Sequence, residues 1–265
     1  MVPSHRRPGS VTAVARAFRY LYRFPWLALH LVLGLPVTLL LMAGPWRHWR
    51  CGGQPLEAAA VRWWSAGLLK VFGLRVRRVG TPLTGGVLMV ANHVSWVDIE
   101  MIHSQALVGF VAKAEIARWP LVGWMARRGH TIFHQRGSNE SLGGVMEEMV
   151  RRLRQDRPVA VFPEGRTRDG TEVGPFHARI FSVAVDASVP VQPVAVRYGR
   201  QSADQTRVAF GARESFVANF LRLLGDAPCD AEVHFLPPID TAAVEGRRQI
   251  AELARSRVVA ALQGP

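Results

Sequence analysis

The sequence predicts an α/β protein: a mixed, largely parallel sheet flanked by helices, preceded by a membrane-associated helical segment. Three observations carry this reading. From residue 74 onward short β-rich runs alternate with helical stretches, the pattern of helices packed against a sheet. Of the 265 residues 49% are hydrophobic, which supplies a core and excludes global disorder. Residues 1–50 hold seven arginines and no Asp or Glu, and a run of 23 uncharged residues (24–46) separates Arg23 from Arg47. The expected division is 1–55, a basic N-terminal membrane-anchoring helical segment and linker, and 56–265, the α/β domain.

The run 24–46 reaches roughly 35 Å as a helix, enough for a hydrocarbon core about 30 Å thick. Trp26 at one end and Trp46 and Trp49 at the other are placed as interfacial anchors. Gly34-Leu35-Pro36 interrupts it, because Pro removes a helical hydrogen bond and restricts the residue before it. Two arrangements follow: a single span, or two short helices broken near Pro36 that dip into one leaflet. The second sets both arginine clusters against an anionic leaflet.

After the linker 51–55, residues 57–72 have helical spacing with Trp64, Leu68 and Phe72 on one stripe. Strands are expected at 74–79, 86–91, 107–112, 131–135, 158–162, 191–198, 206–210 and 231–236. Helices are expected at 98–105, 115–128, 139–155, 176–187, 214–224 and 243–262. Pro190 and Pro193 place 191–198 at a sheet edge, since proline cannot donate to a ladder.

Charge narrows the partners. The net charge is +13, and only Lys70 and Lys113 are lysines among 33 basic residues. Such a surface attracts nucleic acid, anionic lipid or an acidic carrier protein. No nucleic-acid motif is present and the N-terminal arginines flank an apolar run, which favours lipid over nucleic acid. The two cysteines cannot build a disulfide framework. No G-x-S-x-G elbow, P-loop or G-x-G-x-x-G follows a strand. His130 and His134 bracket a strand-like Thr-Ile-Phe, where i and i+4 lie about 13 Å apart, so no metal site is expected.

The segment 90–98, VANHVSWVD, follows an apolar strand and precedes a helix, so it is a loop at a strand's carboxyl end, where α/β proteins place ligands. On one helix His93 and Asp98 would face apart. With His93 in the loop and Asp98 opening the helix, the turn brings the carboxylate to one imidazole nitrogen and leaves the other free to accept a hydroxyl proton. A helix-capping Asp beside an ordinary loop histidine is the simpler alternative for such a pair seen alone.

The pair is not alone. N-H-x-x-x-x-D resembles the first motif of the glycerophospholipid acyltransferase family, and among its members the bacterial lysophosphatidate acyltransferases. Further blocks follow in the family's order: Gly129 to Arg136 (GHTIFHQR), Phe162 to Arg168 (FPEGRTR) and Val189 to Pro193 (VPVQP), with Lys113 in a lysine-bearing segment between the first two. The third block reads E-G-R-T-R where the family has E-G-T-R, so either Arg166 or Arg168 takes the family's arginine position.

The resemblance implies an acyltransferase that moves an acyl chain from a thioester, acyl-CoA or acyl carrier protein, to the free hydroxyl of a lysophospholipid. Lysophosphatidate is the first acceptor expected, and lyso-ornithine lipid or another lysolipid the alternative. His93 and Asp98 are the expected catalytic pair; Lys113, Arg136, Glu164, Gly165, Arg166 and Arg168 are the expected substrate-binding residues. Arginines suit bidentate phosphate contacts, Gly165 lets backbone approach a ligand, and Glu164 binds a glycerol hydroxyl or orients an arginine. No cofactor is expected beyond the donor. The site is expected on the cytoplasmic face of a bacterial-type inner membrane, monotopic or single-pass. A non-catalytic basic membrane-surface protein is the competing class.

Overall fold

In a computed structural model that describes residues 10–135, 139–199 and 202–264, the N-terminal run is continuously helical as far as Ala43. Helix α1 (Ser10–Leu29) passes through one π turn, His30–Gly34, into α2 (Leu35–Ala43). Of the two arrangements left open, the one with a break near Pro36 is therefore not seen. Pro36 lies in the first turn of α2, and the wider turn before it relaxes the carbonyl spacing that a pyrrolidine ring would strain. A short hairpin, β1 (Arg50–Cys51) and β2 (Gln54–Pro55), leads to α3 (Leu56–Val71). Trp64, Leu68 and Phe72 are buried, so α3 packs on the core.

The remaining elements are β3 (Leu74–Val79), β4 (Leu88–Ala91), α4 (Val97–His103), β5 (Gly109–Lys113), α5 (Pro120–Arg128), β6 (Ile132–His134), α6 (Asn139–Arg154) and β7 (Val159–Val161). They continue with α7 (Ser182–Ala187), β8 (Val191–Tyr198), α8 (Ser202–Val208), α9 (Phe216–Gly225), β9 (Cys229–Phe235) and α10 (Gly246–Gln263). Seven strands form one sheet in the order β3-β9-β8-β4-β7-β5-β6. Every pairing is parallel except β8 with β9. Five strands, β8, β4, β7, β5 and β6, thus deliver their carboxyl ends to one rim.

Burial explains the strand sequences. The central strands β4 and β8 are covered on both faces and are buried throughout, so they read as unbroken apolar runs. Strand β3 alternates, LRVRRV, because one face is left to solvent. There Arg75 pairs with Asp230 at 2.6 Å and Arg77 with Glu232 across the ladder. One core cluster joins the sheet to α3, α4 and α9 through residues such as Phe72, Met101 and Leu224, and a second joins it to α6, α7 and α10 through Met149, Val183 and Ile250.

Three expectations need correction. Strand β8 is central, between β9 and β4. Regular pairing with β9 runs only from Val194↔Phe235, and beyond it a single bridge, Val191↔Ile239, is offset by one residue. Pro193 sits in that irregular interval, where its carbonyl takes the Leu236 N–H at 3.0 Å and no ladder donor is required. Residues 206–210 are not a strand: 202–208 form α8, because the neighbouring position beside β8 is filled by β9. The single helix expected over 115–128 divides into a 3₁₀ turn, Ala114–Arg118, and α5; Trp119, held extended before Pro120, is the break.

Candidate active site

The site is assembled where β4, β7 and β8 end. Past Ala91↔Val194 the β4–β8 ladder stops, and the buried Asn92 amide continues it by side chain, donating to Val196 O (3.0 Å) and accepting from Val196 N (2.9 Å). Asn92 thereby imitates one more peptide while the main chain turns away with His93. The loop closes within four residues onto α4, whose second residue is Asp98.

Asp98 is fully buried. Its Oδ2 accepts from Val94 N (2.7 Å), Ser95 N (2.9 Å) and the His93 ring, with Nδ1 at 2.9 Å. Its Oδ1 accepts from the Tyr198 hydroxyl at 2.6 Å. The carboxylate therefore both folds the loop and fixes the imidazole; it does not cap α4, whose N-terminus has no side-chain cap. The His93 ring stacks on Phe162 (centroids 3.8 Å apart, 10° between planes), and Phe162 stacks on Phe110. The ring is held on its face and at Nδ1. Among the described residues no hydrogen bond engages Nε2, and the side chain is 16% exposed.

Two bonds stitch this loop to the one after β7. His93 N donates to Glu164 Oε1 at 2.8 Å, and Arg168 N donates to His93 O at 2.8 Å. The second Glu164 oxygen takes Gly174 N (2.8 Å) and lies 3.4 Å from Arg168 Nε, an ion pair without the alignment of a hydrogen bond. Burial pushes the Glu164 carboxyl above its ordinary range, and the two amides and the Arg168 charge oppose that rise. Glu164 is thus an internal brace that orients Arg168. The guanidinium rests on Gly174, where any Cβ would collide with it.

The structure brings His93, Asp98, Glu164 and Arg168 together. Gly165 is exposed beside them at φ +71°, a conformation that favours glycine, with the His177 ring over it. Arg166 is exposed in the same turn, and Lys113 is exposed at the carboxyl end of β5, two strands from β4. Arg136 lies outside the described residues. Of the two arginines in E-G-R-T-R, Arg168 is the one tied to both Glu164 and His93.

Three residues were missed by sequence reasoning. Tyr198 ends β8 and reaches Asp98. Asn219 of α9 accepts from Trp96 Nε1 at 3.0 Å, and Phe220 stacks on the same indole, fastening the His93–Asp98 loop from outside. No local pattern marks these partners, because each lies about a hundred residues from the loop. The one available signal was a hydroxyl-bearing aromatic at the carboxyl end of a buried strand.

A family model described as Acyltransferase matches residues 73–197. The chain is 34% identical to the lyso-ornithine lipid O-acyltransferase of Pseudomonas aeruginosa over 79% of its own length and 81% of that protein. It is 33% identical to the 1-acyl-sn-glycerol-3-phosphate acyltransferase of Neisseria gonorrhoeae over 66% of its own length and 69% of that protein. The crystal structure of a 1-acyl-sn-glycerophosphate acyltransferase from Thermotoga maritima superposes with a TM-score of 0.74 at 19% identity, covering 95% of this chain and 96% of that one. That likeness establishes the fold.

Proposed function

The chain belongs to the acyltransferase family and is an acyltransferase; from that premise we propose that it acylates the free hydroxyl of a lysolipid by direct attack on an acyl thioester. The observation that carries the proposal is the imidazole of His93, fixed at Nδ1 by Asp98 with Nε2 open at the rim. Nε2 takes the acceptor's hydroxyl proton as that oxygen bonds to the thioester carbonyl carbon. Asp98 stabilises the imidazolium. When the tetrahedral intermediate collapses, the C–S bond breaks and the leaving thiolate recovers the proton, giving an ester and a free thiol. No side-chain nucleophile is required.

In this reading Arg168, beside His93 and Glu164, binds the acceptor's phosphate or carboxylate, with Arg166 and Lys113 as further exposed charges and Arg136 in the family's position. Lysophosphatidate is the acceptor the motifs imply. Lyso-ornithine lipid is a second reading, favoured by the identity to the Pseudomonas protein. The donor is acyl-CoA or acyl carrier protein.

Membrane association follows from α1 and α2. Residues Ala13–Ala43 are long and apolar enough to cross a bilayer, yet they lie along the α/β domain. Arg16, Arg19, Tyr20 and Arg23 bond the end of α9, and Leu35 and Leu39 pack with Trp64 of α3. Val14, Phe18, Leu21, Trp26, Val32 and Leu40 face outward. A helix fastened along one side and greasy on the other suits a position in the plane of the cytoplasmic leaflet, where a lysolipid keeps its chain in the bilayer.

The test is an acylation assay on purified protein that crosses acyl-CoA and acyl carrier protein with lysophosphatidate, lyso-ornithine lipid and uncharged lysolipids. Thioester-dependent ester formation on lysophosphatidate or lyso-ornithine lipid is expected, in preference to the uncharged lysolipids. Absence of transfer to every hydroxyl acceptor would overturn the proposal.

A further inference from the structure

The acyl-transfer reading gives Asp98 one partner to hold, His93, but the carboxylate has two oxygens and both are occupied. Oδ2 receives the imidazole and two backbone amides of its own loop. Oδ1 turns the other way, across the sheet, to the last residue of β8. Apart from His93, Tyr198 is the one side chain among the described residues that bonds this carboxylate.

We propose that Tyr198 is a positioning residue of the acyl-transfer site, its hydroxyl holding one oxygen of Asp98 so that the other stays aimed at His93. This rests on the His93–Asp98 reading above.

Three features support a role beyond core packing. The phenol and the carboxylate are both fully buried, so water cannot take over either end of their bond. Without the phenol, Oδ1 would be a buried acceptor with no donor while Oδ2 kept its two amides and the imidazole, and the carboxylate would lose the contact that fixes its plane toward His93. Burial and the adjacent Asp98 charge push the phenol well above its ordinary range, so the hydroxyl stays a donor at any working pH. The residue is itself braced: Tyr198 N donates to Gln205 Oε1 at 2.9 Å, and Gln205 Nε2 donates to Val196 O at 3.2 Å. Both Gln205 and Asn92 thus lock onto Val196, which ties the strand end that carries the phenol to the strand end that carries the imidazole.

The other titratable groups facing the pair are few. Cys229 of β9 lies near Tyr198, its thiol raised by burial. Glu164 and Arg168 approach His93 through its backbone amide and carbonyl. None of them donates to Oδ1.

Tyr198→Phe keeps the ring and removes the donor. Its kcat is expected to fall about 10- to 100-fold, the effect of orphaning one buried acceptor read as a rate, with the acceptor's KM unchanged. The acid limb of its pH–rate profile is expected to move to higher pH, because the active form needs Asp98 ionised beside a neutral His93 and the variant takes up the disabling proton sooner. Replacing Tyr198 by 3-fluorotyrosine, a stronger donor of nearly the same shape, should move that limb to lower pH without loss of folding. A lowered kcat with the acid limb unmoved in both variants would make Tyr198 a packing residue and overturn the inference. The dyad reading fails on a different result, a His93→Ala protein that turns over at the parental rate.

Discussion

The rim that carries His93 and the junction between α1 and α9 hold backbone by the same physics with the signs reversed. At the rim, buried carboxylates collect N–H groups: Asp98 takes those of Val94 and Ser95, and Glu164 those of His93 and Gly174. At the junction, guanidinium groups collect carbonyls at the end of α9. Arg23 bonds Leu224 O and Asp226 O, both at 2.8 Å, and Arg19 bonds Gly225 O at 3.0 Å. Acids serve orphaned donors and bases serve the orphaned carbonyls of a helix terminus. What differs is the remainder. Each rim carboxylate leaves a second group in place at the surface, an imidazole or a guanidinium. Arg23 is spent on carbonyls and only 2% exposed, so the junction has attachment and no chemistry.

Four variants test that contrast. The largest effect belongs to the rim: His93→Ala should lower turnover about 10²- to 10⁴-fold, the usual worth of a general base, with an unchanged melting temperature. A parallel loss of folding would mean the imidazole is structural. Next, Phe18→Asp with Leu21→Asp alters the outward face of α1 and should reduce partition onto anionic vesicles about 100-fold, given the apolar area each residue would bury. Cosedimentation unchanged from the parent would remove that face from the membrane. Third, Arg23→Met keeps volume but strips two buried carbonyls of their donor, so unfolding in detergent should become easier by about 2 kcal/mol. Equal stability would show that solvent satisfies the end of α9 after all.

The smallest effect lies between the two regions. Glu214 bonds Arg222 and Asn219 of α9, and Asn219 in turn holds Trp96 of the His93–Asp98 loop. The Arg222 hydrogen bond brings the Glu214 carboxyl down to about 2 from an ordinary 4.5. A depressed carboxylate stabilises the fold above its unfolded value and gives that up as pH falls. Glu214→Gln should therefore be less stable than the parent by about 1 kcal/mol near pH 7, and the gap should close between about pH 4.5 and about 2. A difference that persists at pH 2 would point to packing instead of charge.

Much of the fold was legible because periodicity reports burial. The uninterrupted Leu88–Ala91 and the alternating Leu74–Val79 are direct consequences of two covered faces and one. Prolines misled for 191–198, since a sequence shows that a donor is missing but not that the neighbouring strand is irregular at that point. Residues 206–210 misled for a related reason: β-branched content expresses a preference for a ladder, and β9 had already filled the place beside β8. In the site, His93 and Asp98 were readable from a loop that returns on itself within five residues. Glu164 was readable as a residue and only half as a role, because its occupation by His93 N and Gly174 N depends on two separate chain segments. Tyr198 and Asn219 were not readable, as their contacts exist only once β8 and α9 are in place.

The π turn at His30–Gly34 acts as a phase corrector. Counting ~100° per residue, an unbroken α-helix would swing Leu35, Thr38, Leu39 and Met42 about a quarter turn away from the side on which Arg23 and Leu27 are buried. The one surplus residue accommodated by the wide turn rotates the distal half back, so inward and outward sides stay continuous along the whole rod. Shortening this segment by a single residue would leave its composition and apolar content almost untouched. It would nevertheless uncouple the two halves, turning the buried surface of one toward the exposed surface of the other.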